Sequence, residues 1–158
     1  MKRRSLYVIL AVLLAIIFCG VVLVFQLVVR GAEMLVPSNA DGQSVAAEYF
    51  EAIRKQDYDK AIEFYSTVFF ERTSREDWRL ALVRINSKLG DLEQYELQDW
   101  DVRVWDGPGG RLTYYTLEYK VTYSKHSAIE TLTLTKKNDG ESALIQAHNV
   151  SSSELLKD

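Results

Sequence analysis

Cysteine, proline and histidine are nearly missing from this 158-residue sequence, which holds one, two and two of them. A single cysteine, Cys19, excludes an intramolecular disulfide and with it a disulfide-stapled miniprotein. One cysteine and two histidines leave no spacing that resembles a zinc or iron site, so no metal or other cofactor is expected. Gly107-Pro108-Gly109-Gly110 lacks the following Lys-Ser/Thr and helix of a phosphate loop and reads as a strand connection. Ser151-Ser152-Ser153 lacks the strand-turn-helix context of a nucleophile elbow and reads as a tail. Asn149-Val150-Ser151 matches a glycosylation pattern that only a eukaryotic secretory setting would use. Acids are absent before Glu33, so residues 31–158 carry 15 basic against 22 acidic groups, a net charge of −7. Such a domain is a poor nucleic-acid binder, because phosphate recognition needs clustered Lys and Arg. What is present, 47% hydrophobic and 26% charged residues, suits one domain with a packed core plus a short extra segment.

The extra segment runs from Leu6 to Val29, where Gln26 is the only strongly polar side chain. As a helix these residues would span about 36 Å, enough for a hydrocarbon core of about 30 Å. Lys2, Arg3 and Arg4 before the run outweigh Arg30 after it. The positive-inside rule then predicts residues 1–5 in the cytoplasm, 6–29 across the cell membrane and the rest outside, periplasmic or cell-surface. A cleaved secretory signal has a shorter apolar stretch, and Ser38-Asn39-Ala40 lies well beyond this one, so a retained signal-anchor is expected. Cys19 follows Ile16-Ile17-Phe18 rather than a small residue, which argues against a lipoprotein. Residues 30–43, with Pro37, Ser38, Asn39, Asp41 and Gly42, read as a linker.

Residues 44–151 form the expected extracytoplasmic domain, and 152–158 a C-terminal tail. Val45, Ala46, Tyr49, Phe50 and Ile53 fall at helical spacing between Ser44 and Gln56, Asp57 offers a cap for a second helix to about Ser66, and Ser74 to Asp77 opens a third that stops at Gly90. The period then becomes twofold. Tyr95 and Leu97 are apolar at odd positions and Trp100, Val102 and Val104 at even ones, so a bulge is expected near Gln98-Asp99. Three more strands follow, Tyr115 to Tyr123, Ile129 to Thr135 and Ala143 to Ser151, with a hairpin signal at Asn138-Asp139-Gly140. Helices first and then an antiparallel meander with one apolar face make an α+β two-layer domain.

Ala47-Glu48-Tyr49-Phe50-Glu51-Ala52-Ile53 running into Gln56 to Tyr65, and Leu89-Gly90-Asp91-Leu92 at the step into the first strand, resemble small members of the nuclear-transport-factor-2-like superfamily, also called SnoaL-like or cystatin-like. That resemblance covers roughly residues 44–151 and implies helices packed on a curved four-stranded antiparallel sheet that encloses a cone. It also implies a choice of functions, since the superfamily includes isomerases, dehydratases, ligand binders, transport factors and secretion-machine subunits. Where such proteins are enzymes, a His-Asp pair, an Asp base, or a Tyr with a protonated Asp works inside the cone.

His148 on the last strand and Asp99 at the bulge are the residues such a dyad would need; the alternatives are an ordinary strand histidine and a turn-stabilising aspartate. His126 falls in a tight turn and is expected in solvent. Tyr49, Trp78, Tyr95, Trp100, Tyr115 and Tyr119, with Asp99 and His148, are the candidate lining of a semi-polar pocket, or else the filling of a wide core. The outward Thr-rich face, Thr116, Thr122, Thr131, Thr133 and Thr135, suits either a partner surface or a solvated sheet. Two expectations follow. One is a single-pass, membrane-anchored interaction or assembly module without catalysis, similar in layout to the bitopic assembly subunits of type IV secretion systems. Its partners would be the bilayer through residues 6–29 and a protein or a second copy. The other is a small-ligand pocket protein or enzyme, favoured by an open cone with His148 or Asp99 inside.

Overall fold

Ala40–Arg54 form helix α1 in the computed structural model, which describes residues 38–157 apart from Asp139. The expected membrane span, Leu6 to Val29, and its flank Lys2, Arg3 and Arg4 lie outside the described residues, none of whose helices is long and apolar enough to cross a membrane. Helix α1 begins four residues earlier than the periodicity suggests. Asp41 suits a first helical turn, where the dipole favours an acid. Gly42, read from sequence as a linker residue, is a packing residue: a Cβ there would come within 2.9 Å of the Tyr115 ring. The buried face of α1 is then Gly42, Ala46, Tyr49, Phe50 and Ile53, at helical spacing.

Asp57 caps the short helix α2, Tyr58–Ile62, accepting from the Lys60 amide at 3.0 Å. This helix does not continue to Ser66 as expected, because the backbone beyond it pairs with a strand. Ser66 N–H donates to Ile145 O (2.9 Å), and Ile145 N–H donates to Phe64 O (2.8 Å). A single 3₁₀ turn, Phe69–Glu71, leads to α3, Arg75–Leu89, where Ser74 Oγ accepts from the Asp77 amide at 3.0 Å as the capping pattern predicts. Gly90 ends α3 at φ 96°, a conformation that disfavours any side chain; a Cβ would lie 2.2 Å from Ser124 Oγ.

The remaining elements are β1 (Leu92–Gly107), β2 (Gly110–Tyr123), β3 (Ser127–Lys137) and β4 (Leu144–Ser151), a curved antiparallel sheet in sequence order. The expected parity switch is real. Leu97 opposes Tyr119 and Asp99 opposes Glu118, so one residue, Gln98, is extra on β1 and the inward set passes from odd to even positions. Tyr115, Leu117, Tyr119, Val121 and Tyr123 of β2, with Ala128, Glu130, Leu132 and Leu134 of β3, make the buried face, and α1 lies across it. Phe50 carries the contact, stacked on Tyr95 at 4.5 Å between centroids and edge-on to Tyr119 at 5.0 Å. The domain is thus α+β, three helices followed by a four-stranded meander.

Candidate functional site

Strand alternation puts Glu130 among the inward residues of β3, where a carboxylate has no water to solvate it; the residue is 1% exposed. A buried charge must be met by donors, and here the neighbouring strands supply them. Tyr123 at the end of β2 donates its hydroxyl to Glu130 Oε1. His148 of β4, whose side chain is fully buried, places Nε2 3.0 Å from Glu130 Oε2. Its other ring nitrogen, Nδ1, lies 2.7 Å from the hydroxyl of Tyr65, in the segment bridged to β4. An ionised carboxylate only accepts, so Nε2 carries the proton toward Glu130, and in the neutral imidazole Nδ1 accepts from Tyr65 O–H. The chain of bonds Tyr65, His148, Glu130, Tyr123 therefore crosses the interior with every His148 donor and acceptor spent.

Aromatic rings seal this chain. The His148 ring is edge-on to Tyr49 at 5.6 Å and to Trp78 at 5.7 Å, and Tyr65 is edge-on to Trp78 at 5.7 Å. Burial pushes the hydroxyls of Tyr65 and Tyr123 well up, and the Glu130 charge adds to both shifts. Tyr49 is raised for the same first reason, with Tyr65 and Glu130 adding. A tyrosine that serves as base or nucleophile needs a lowered pKa. These three phenols hold their protons and serve the cluster as hydrogen-bonding hydroxyls.

Beside the cluster, a cleft of about 600 Å³ opens between the Phe69–Glu71 turn, the start of α3 and β4. Phe69, Trp78 and Ala147 give it apolar walls, Arg72, Thr73 and Gln146 give it polar ones, and His148 contributes to its floor. Trp78 Nε1 is buried next to this cleft and interacts with the Tyr65 hydroxyl without closing a hydrogen bond of normal geometry. Among the described residues no group of three or more His, Cys, Asp or Glu could hold a metal ion.

The residues singled out from sequence separate into two sets. Tyr49, Tyr115, Tyr119 and His148 do face the interior, and Trp78 and Tyr95 pack half-buried against it. Burial pushes the Tyr119 hydroxyl up to about 12. Asp99 and Trp100 do not belong with them. Asp99 is exposed opposite Glu118 on the outward side, and its carboxylate accepts from the Trp100 amide at 2.9 Å. The His148–Asp99 dyad is therefore ruled out, because the bulge turns Asp99 away from the face on which His148 sits. Trp100 has the inward phase, opposite Leu117, but no helix covers it, and it remains 45% exposed. Glu130, Tyr65 and Tyr123 were missed as a site. The legible signal was Glu130 itself, a charged residue in the apolar phase of a strand whose neighbours Ala128, Leu132 and Leu134 are all inward.

The chain belongs to the family described as "Protein of unknown function (DUF4019)", whose model matches residues 45–145. That span takes in α1 to the first residues of β4, with Tyr65, Trp78, Tyr123 and Glu130, and ends three residues before His148. No curated protein and no solved structure matches the chain.

Proposed function

We propose that this is a single-pass membrane protein whose C-terminal domain works outside the bilayer as an interaction or assembly module without catalytic activity. Residues 6–29 serve as anchor, Lys2, Arg3 and Arg4 hold the N-terminus in the cytoplasm, and the domain takes the nuclear-transport-factor-2-like cone, here filled rather than open. The observation that carries the non-catalytic part is the closed interior. His148 is fully buried with both nitrogens bonded, and Tyr49, Tyr65 and Tyr123 are held as neutral phenols. The chemistry available is then that of surfaces, among them the outward sheet face with the partly exposed Thr116, Thr131, Thr133 and Thr135.

Topology is tested with Lys120→Cys on that face, since Cys19 is the only native cysteine. The variant should label with a membrane-impermeant maleimide in intact cells and stay with the membrane in alkaline carbonate. Labelling only after permeabilisation would reverse the orientation, and recovery of a shortened soluble chain would show cleavage. The module itself is tested by photo-crosslinking residues at Thr131 and Thr133. A discrete protein adduct, a second copy included, is expected there and not from the cleft position Gln146.

A second reading, a small-ligand binder, draws on the cleft with Arg72 at its wall. It predicts that a small carboxylate raises the melting temperature of the full chain in detergent, and that Arg72→Ala abolishes the rise.

A further inference from the structure

β4 is an edge strand, and its open side is only partly occupied. At Ile145 the main chain of Phe64 to Ser66 pairs with it, taking both its N–H and its C=O, and then leaves the edge for the Phe69–Glu71 turn. In an antiparallel ladder the main-chain groups alternate between the two sides of a strand in step with the side chains. Ile145 turns its side chain inward and its N–H and C=O away from β3. Gln146 is the extra residue between the Leu134–Ile145 and Thr133–Ala147 pairs, so the next inward residues, His148 and Val150, also aim their main chain at the open side. Exposure agrees at His148. Its side chain is fully buried while the residue is half-buried, so the part that solvent reaches is main chain, at the floor of the cleft.

An unpaired edge is a template for another strand. The opposite edge, β1, is guarded by Glu93, Glu96, Asp101, Arg103 and Asp106 and by its bulge, whereas β4 carries no acid, lysine, arginine or proline. The open length is short: residues 146–151 make about 20 Å of strand at about 3.3 Å per residue. Val68 to Thr73 wall the cleft on its far side, so it admits one extended chain and not the edge of a second sheet. Directly opposite residues share a face of the sheet. A residue paired with His148 therefore turns its side chain toward the helix layer, where Phe69 and Trp78 offer an apolar wall. Arg72 supplies a charge to the same cleft. Arg75 is engaged over the Phe70 ring at 4.3 Å, but the Arg72 guanidinium has no partner among the described residues. The Phe69 amide donates to Ser66 Oγ (3.2 Å), which ties the turn that leads to Arg72 to the end of the edge that Ser66 closes. A chain running antiparallel to β4 meets that closed end with its carboxyl terminus.

Deepening the second reading above, a ligand in the cleft, we propose that the ligand is a short peptide with a free carboxyl terminus. It adds to β4 as an antiparallel strand. Its penultimate residue exchanges N–H and C=O hydrogen bonds with His148 and rests an apolar side chain on Phe69 and Trp78, and its carboxylate pairs with Arg72. Only the main chain of His148 is used, so its ring stays bonded to Glu130 and Tyr65.

The test uses the full chain in detergent, with acetyl-Ala-Phe-Ala as probe. This peptide should raise the melting temperature and bind at least about tenfold more tightly than 3-phenylpropanoate, which has the ring and the carboxylate but no peptide backbone. Arg72→Ala, the C-terminal amide of the peptide, and N-methylation of its phenylalanine, which removes the N–H meant for His148 O, should each weaken binding about tenfold. The His148 amide should also become protected from hydrogen exchange when the peptide is bound. Equal affinity for 3-phenylpropanoate, or undiminished binding of the N-methylated peptide, overturns strand addition and leaves a plain carboxylate pocket. If neither the peptide nor 3-phenylpropanoate binds, the second reading and this inference fail together. A ten-residue peptide with the same last three residues should bind no more tightly, because β4 has no further edge to offer it. Markedly tighter binding of that longer chain would assign the cleft to the tail of a protein and overturn the short ligand.

Discussion

Glu130 is the residue on which the interior turns. Its carboxylate is stable out of water because Tyr123 and His148 both donate to it, and each of them is stable in turn because the carboxylate accepts. Glu130→Leu should therefore cost about 3–5 kcal/mol, since it leaves two buried donors without a partner. Glu130→Gln keeps one acceptor oxygen and should cost distinctly less. Denaturant midpoints at constant slope measure the difference, and equal costs would mean that the network contributes only packing. The tyrosines give a pH signature. Tyr119 is pushed up to about 12, and Tyr49, Tyr65 and Tyr123 are raised as well, against about 10 in the unfolded chain. The neutral phenol is thus favoured in the native state. Stability from this source is complete below about pH 10 and falls as pH rises beyond it, because the unfolded chain then releases protons that the native chain keeps. Phenolate absorbance of the buried tyrosines should appear together with the loss of far-ultraviolet dichroism. Their ionisation in a chain with intact dichroism would show an interior open to hydroxide.

At the scale of elements, period and capping chemistry made most of the domain legible. Ser74 and Asp57 cap the helices they were expected to cap, Gly90 stops α3, and the parity change from Leu97 to Trp100 correctly places a bulge. What could not be read was where tertiary contacts override local preference. Gly42 looks like a linker residue until the Tyr115 ring is placed against it, and Phe64 to Ser66 look helical until Ile145 claims their backbone. The pairing of His148 was unreadable for the same reason. Its partner on β3 is fixed by register, in which Glu130 opposes Val150 and Leu132 opposes His148, and not by any spacing along the chain. The bulge offers the sharpest test at this scale. Deleting Gln98 removes the extra residue, so either Leu97 and Tyr95 or Val102 and Trp100 must turn outward. The variant should lose cooperative thermal unfolding or at least about 3 kcal/mol of stability, as expected for several core residues displaced at once. A deletion with an unchanged melting curve would show that the arm from Asp99 to Gly107 is not anchored by the core.

At the scale of the whole described domain, the interior is filled, and the proposed role falls to the outer surfaces. Large apolar side chains are exposed near the β1–β2 turn, the Thr-rich sheet face is partly exposed, and between sheet and helices the space is taken by rings and one hydrogen-bonded chain. The cleft beside Trp78 pulls toward ligand binding, and it competes with the surfaces only if His148 can be reached through it. The chain has just two histidines, and the other, His126, is partly exposed in the β2–β3 turn, which makes it an internal reference. Nitrogen-15 spectra of the two imidazoles in the folded full-length protein therefore test the central claim most directly. The account predicts that His148 is protonated on Nε2 with Nδ1 accepting, and that its ring proton exchanges with water far more slowly than that of His126. A His148 ring proton that exchanges as fast as the His126 one, or that sits on Nδ1, would contradict the sealed interior.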